Sequence, residues 1–210
     1  QAKEIVSENY FKKKGILSND LEWLRLKAIR EEIDGYPVEN IKGYKGEKID
    51  IKVLAVFTPK LYLDNIKKTL ADLGVNVVKM VHLAELIPNC LPLNNEDAIL
   101  IDVGGKLSQI FYVKRGRLDS YKIIEQGGSD FSEYICDKFG LDKTAARQLK
   151  EDYADGNLTL EAEEKIREIF EPGKNIWKRN ITECKKIEFQ GVSIFFFGGG
   201  CLLKEARSVF

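Results

Sequence analysis

The residue types in this sequence that can do chemistry gather at three glycine clusters rather than at a histidine or cysteine group. In "AILIDVGGKLS" an apolar run ends at Asp102, and Gly104 and Gly105 follow at once. Glycine amides let an anion approach closely, and a carboxylate beside them can hold a hydrated Mg²⁺ that screens phosphates. The same pattern also fits a strand end with a capping aspartate and a bulge glycine. "SIFFFGGG" runs from apolar residues into Gly198, Gly199 and Gly200 and then into a helix start. Such a turn lets the backbone pass close to a planar ligand and offers free helix amides; it is equally the form of a tight strand-to-helix turn. Gly127 and Gly128 make the third cluster, again ahead of a helix.

These turns need elements to hold them. In "LEWLRLKAIREEI", Leu21, Leu24, Ala28 and Ile29 stand at helical spacing behind Ser18 or Asn19 as N-cap, which predicts a helix over about 19–33. Ile49 to Pro59 reads as a strand, the following stretch up to Gly74 as a helix, and "VNVVKMVHLA" as a second strand, with breaks at Pro88 and Pro92. Residues 30–95 thus read as a small αβ unit. The Asp102 stretch then supplies two strands, and a turn at "KRGRL" leads to a third in meander order. Helices follow from Ser129 or Asp130, from Asp142, and through "TLEAEEKIREIFEPG" up to Pro172 and Gly173. A fourth helical stretch in "NIWKRNITECKKIEF", a strand in "VSIFFF" and a final helix start complete the order.

The ordered set DVGG, hairpin, GGSDFS, "AARQLK" and apolar strand into GGG resembles the second half of the actin-like ATPases. Within them it is most similar to the branch of the cell-division protein FtsA and the pilus-assembly protein PilM, from about Glu31 onward. The resemblance implies an α/β fold with mixed sheets. An actin-like (ribonuclease H-like) second domain spans 96–210, its helical part short, and a small inserted αβ interaction subdomain spans 26–95, with 1–25 unassigned. It implies ATP and Mg²⁺ as cofactors. Asp102, Gly104, Gly105 and Ser108 then correspond to the second phosphate loop, with Asp102 reaching the Mg²⁺ through water, and Gly127 and Gly128 open the helical subdomain. Lys150 corresponds to the lysine along the adenosine, and Gly198, Gly199 and Gly200 to the nucleoside turn. Lys106 stands where the family has a third loop glycine, and its ammonium can lie over a phosphate. Arg147 stands where the family has a glutamate, which removes an acceptor for the ribose.

No first phosphate loop precedes residue 30, so the sequence reads either as a fragment or as a reduced relative. The resemblance implies a cytoplasmic scaffold, also placed at the inner face of the cell membrane, that binds ATP and recruits or polymerises with division proteins. Self-association would run through the small subdomain. The alternative is a pilus-assembly adaptor without useful hydrolysis. Any ATPase activity would be weak and would act by positioning and charge neutralisation. A small-molecule kinase of the same superfamily would need a catalytic aspartate, and no candidate stands out.

Composition narrows the rest. The 33 Lys and Arg balance 33 Asp and Glu, so no global field draws nucleic acid or an anionic membrane. Cys90, Cys136, Cys184 and Cys201 include no CxxC pair and read as free thiols. The lone His82 reads as a strand residue, Lys114, Arg115 and Arg117 as a solvated hairpin tip, and Trp23 and Trp177 as packing anchors on helix faces.

Overall fold

The computed structural model describes residues 2–15, 17–90, 96–182 and 191–209. They form two compact units, Gln1–Leu91 and Pro92–Phe210. The segment 1–25 therefore lies in the first unit, as helix α1 (Ala2–Lys14), a 3₁₀ turn (Ser18–Asp20) and the start of strand β1 (Leu21–Ile33).

The expected helix over 19–33 is this strand β1, paired along its length with β3 (Ile49–Pro59) and at its end with β2 (Tyr36–Val38), in the order β2-β1-β3. Register shifts between Trp23 and Arg25 and between Ala28 and Arg30 explain the misreading. Each extra residue breaks the two-residue alternation, so the apolar positions fall at spacings of three and four that imitate a helix. Trp23 therefore packs from a strand, its ring 5.1 Å from Phe57, which also meets Tyr10 of α1 at 5.0 Å. The turn between β1 and β2 is held by Asp34, whose carboxylate accepts the Lys48 amide at 2.7 Å.

After β3 comes α2 (Lys60–Asp72), as read from the sequence, with Leu63 buried. The second expected strand does not form: residues 75–82 pair with no strand among the described residues, Val78 is 97% exposed, and α3 (Leu83–Cys90) begins where the strand would end. Alternation alone makes no strand without a free edge beside it. Helix α3 also runs through Pro88, where a break was expected: a proline inside a helix costs one amide hydrogen bond and crowds the carbonyl four residues back, and the helix continues two residues past it all the same. Pro92 lies outside the described residues.

The second unit holds β4 (Ala98–Val103), β5 (Ser108–Lys114), β6 (Arg117–Ile124), α4 (Gly128–Phe139), α5 (Lys143–Asp155), α6 (Leu160–Thr182), β7 (Ser193–Phe197) and α7 (Lys204–Val209). The meander is as read, and β7 adds parallel to β4, giving the order β6-β5-β4-β7. Ile99, Ile101, Val103, Ile110, Tyr112 and Ile124 form one sheet face, buried with Phe131, Tyr153, Phe170 and Trp177 of the helices. Phe131 lies 4.8 Å from both Phe170 and Trp177, so Trp177 anchors the helical layer.

Helix α6 does not stop at Pro172 and Gly173 but continues to Thr182, absorbing part of the separate helix expected after it. Packing overrides the stop signal. A side chain at Gly173 would meet Gln126 Nε2 and the Phe131 ring at 2.8 Å, so glycine here lets α6 lie close against α4. Residues 183–189 of the expected fourth helical stretch lie outside the described residues.

Candidate functional site

The sheet brings the three glycine clusters to one end. β4 and β7 run parallel with Asp102 beside Phe197, so DVGG and FFFGGG leave the sheet side by side. β6 ends with Ile124 beside Ser108, so Gln126 to Gly128 emerge next to the same hairpin. In open sheets, ligands sit in the crevice outside the carboxyl ends of parallel strands. A cavity of about 710 Å³ lies there, lined by Gly104, Gly105, Lys106, Gly128, Arg147, Lys150, Gly199 and Gly200 among others. All eight were singled out in the sequence.

Close approach, rather than backbone freedom, explains most of these glycines. A Cβ on Gly127 would lie 2.5 Å from the Gly105 carbonyl oxygen and 2.6 Å from that of Gly104. One on Gly200 would lie 2.5 Å from Val103 Cγ1. Gly198 combines both demands, with φ +81 and a Cβ position that collides with the Asp102 carboxylate.

The loop and α4 are locked together. The amides of Gly128 and Ser129 donate to the carbonyls of Gly104 and Gly105 at 2.8 and 2.7 Å, and the Gly127 amide donates to Asp130 Oδ2 at 2.7 Å. Asp130 thus supplies, from inside the helix, the half of a capping box in which the third helical residue accepts the N-cap amide. The N-cap position is Gly127, which has no side chain to return the bond, rather than Ser129 or Asp130. These amides are therefore spent within the protein. Asp142 caps α5 as expected, accepting from the amides of Thr144 and Ala145.

Lys150 on α5 donates to the Gly128 carbonyl at 2.9 Å. Burial pulls its ammonium below the usual lysine range, with Glu151 opposing and Arg147 reinforcing that shift. An ammonium has three donors, so two protons remain for a cavity ligand. Arg147 is paired with Glu151 at 2.8 Å and Lys106 with Glu133 at 2.9 Å, both exposed.

Asp102, Ser108, Gly127 and Gly198 do not line the cavity. Ser108 is fully buried, and its hydroxyl donates to the Gln126 carbonyl at 2.7 Å, so it ties β5 to the α4 entry. Asp102 is half-buried beneath Gly198, with Gln109 Nε2 at 3.5 Å as its polar neighbour. Burial pushes its carboxyl above the usual carboxylate range, which Gln109 partly offsets. A cation held through water would relieve that cost, so the residue fits the role of an outer Mg²⁺ partner. Among the described residues no group of three or more His, Cys, Asp or Glu is placed to hold a metal, so most ligands of such an ion would be water and phosphate oxygens.

The cavity also uses residues that the sequence did not mark for a site, including Ser132, Glu133, Lys143, Glu151 and Asp155, and Ser129, which was read there as a helix N-cap. Helical spacing links them to known ones. Ser129, Ser132 and Glu133 share a face of α4, and Glu151 and Asp155 follow Arg147 at four-residue steps on α5. His82 lies outside this unit, where its Nδ1 accepts the Ala84 amide at 3.1 Å. The described thiols Cys136 and Cys201 are free. No helix among the described residues is long and apolar enough to cross a membrane.

Solved structures share this architecture. The PilM–PilN type IV pilus biogenesis complex matches with a TM-score of 0.69 at 16% identity, over 99% of this chain and 57% of that one. The ethanolamine utilization protein EutJ from Carboxydothermus hydrogenoformans matches with a TM-score of 0.53 at 19% identity, over 67% of this chain and 51% of that one. MreB5 of Spiroplasma citri bound to ADP gives 0.53 at 14% identity, over 72% and 57%. The chain has the actin-like ATPase fold, a mixed α/β architecture with two sheets. It spans between about half and three fifths of the length of these relatives. No protein-family model and no curated protein matches the sequence.

Proposed function

We infer that this chain is part of an actin-like scaffold that holds an adenine nucleotide with Mg²⁺ in the cavity of its second unit and docks assembly partners. The observation that carries the reading is the convergence of Gly104 and Gly105, Gly128, and Gly199 and Gly200 around a cavity into which Lys150 brings a half-buried ammonium. The structure of MreB5 with ADP supports a nucleotide as the ligand class. In this reading the amides of Gly105 and Lys106 and the ammonium groups of Lys106 and Lys150 face phosphate, while the Gly104 amide is spent on the Leu107 carbonyl at 3.0 Å. Asp102 would hold a hydrated Mg²⁺, which would supply charge neutralisation at the phosphates. Arg147, Gly199 and Gly200 would flank the nucleoside.

A pilus-assembly role of PilM type is favoured over a division role of FtsA type, because the likeness to the PilM–PilN complex takes in nearly the whole chain, the small αβ unit included. Any hydrolysis in this reading is weak and acts by positioning and charge neutralisation; of the carboxylates that line the cavity, Glu133 and Glu151 are engaged in ion pairs, and Asp155 lines it as well. Titration with MgATP and MgADP, paired with a phosphate-release assay, tests the reading. Saturable binding with little release is expected, and no affinity for either nucleotide would refute it.

A further inference from the structure

Lys106 at the hairpin tip and Glu133 on α4 both line the cavity and are joined at 2.9 Å. The start of α4 would ordinarily attract an anion, but its first amides already serve Gly104, Gly105 and Asp130. At this end of the cavity the charges are therefore the Lys106 ammonium, the carboxylates that surround it, Glu133 in contact and Asp130 nearby, and the Lys143 ammonium, which also lines the cavity and acts on Glu133. The hydrogen bond from Lys106 holds the Glu133 carboxyl below its usual range, and the same bond holds the Lys106 ammonium above its own.

We propose that Glu133 competes with ligand phosphate for Lys106 and thereby sets how much phosphate charge the cavity accepts, a role that rests on the nucleotide reading above. The side chains are 71% and 48% exposed, so water screens the pair and it opens at little cost. A phosphate group offers the ammonium a strong, multiply charged acceptor in exchange. The displaced carboxylate stays on the cavity wall, one helical turn beyond Ser129, and repels the phosphate tail. That repulsion grows with the number of phosphates and leaves an uncharged nucleoside untouched. No proton transfer or bond cleavage is involved. Glu133 acts as a specificity residue, through Lys106 and through its own charge.

The test titrates the wild-type chain, Glu133→Gln and Glu133→Asp with adenosine, MgADP and MgATP at low and high salt. Glu133→Gln should bind MgATP about threefold tighter at low salt, within the range that exposed charge pairs produce, and should lose most of that gain at high salt. Adenosine affinity should not change, and Glu133→Asp, which keeps the charge, should resemble wild type. If wild type binds nucleotide and Glu133→Gln binds MgATP no better, Glu133 has no such role and the nucleotide reading stands. An equal gain for adenosine would likewise overturn it, marking a change of cavity shape. If no variant binds any of the three ligands, the nucleotide reading falls and this role falls with it.

Discussion

The Tyr153 hydroxyl donates to Glu205 Oε1 at 2.6 Å in the interior of the second unit. The bond joins α5, which carries Arg147 and Lys150, to α7, which follows the Gly198–Gly200 turn. Lys204 sits 5.2 Å from the Tyr153 ring and pairs with Glu163 of α6 at 2.6 Å, so all three helices meet here. Burial, then Glu205, pushes the Tyr153 hydroxyl well above the usual tyrosine range, which keeps it a donor. Glu205 Oε2 has no partner among the described residues, so Tyr153 is the contact that satisfies this carboxylate.

Tyr153→Phe should therefore cost about 1–3 kcal/mol in denaturant unfolding, since it leaves a buried carboxylate without its donor. It should also weaken nucleotide binding by loosening α5 against the glycine turn. Unchanged stability would mean that Glu205 finds another donor.

Among the site glycines, space requires Gly127 and does not require Gly199. Gly127→Ala would drive a methyl against two carbonyls at 2.5 and 2.6 Å, and should cost about 1–3 kcal/mol or prevent folding. Gly199 has nothing within 4 Å of its Cβ position, so Gly199→Ala should leave the melting temperature nearly unchanged. Equal behaviour of the two variants in thermal unfolding would contradict the docking of hairpin on helix.

Cys136 lines the cavity as a half-buried free thiol. Alkylation at Cys136, followed by peptide mass spectrometry, should slow in proportion to occupancy when MgADP is present. Labelling at a constant rate through saturating nucleotide would place the ligand elsewhere.

In the first unit, burial holds the His82 imidazole below its ordinary 6.5, with Glu85 opposing. The folded state therefore favours the neutral ring, whose Nδ1 accepts the Ala84 amide. Stability gains nothing from this group above 6.5 and falls as pH drops from there through the lower folded-state value. The urea midpoint of the first unit should decline modestly between about pH 7 and 5.5. His82→Asn keeps an acceptor without the titration and should flatten that decline. An equal decline in both proteins would assign it to other groups.

What the sequence disclosed follows from how local each signal is. The Asp102 turn, the Gly127–Gly128 turn and the Gly198–Gly200 turn were legible because glycine clusters at strand ends carry their geometry in the residue type. Their meeting was not legible from spacing, for it depends on β7 joining β4 in parallel across nearly a hundred residues, with Asp102 beside Phe197. Ser108 shows the converse. Its hydroxyl suits a phosphate by type, yet the strand turns it inward to Gln126. β1 was misread because two bulges gave a strand the spacing of a helix, and Pro172 because Gly173 made continued packing on α4 worth more than the stop. Glu133 carried no signal beyond its place one turn after Ser129.

The central claim is that the cavity of the second unit is a nucleotide site organised by Lys150. Calorimetric titration of MgADP into the wild-type chain and Lys150→Ala tests it most directly, with melting temperatures confirming that both are folded. Removal of a charged hydrogen-bond donor should weaken binding about tenfold or more. Equal affinity in the two folded proteins would contradict the account.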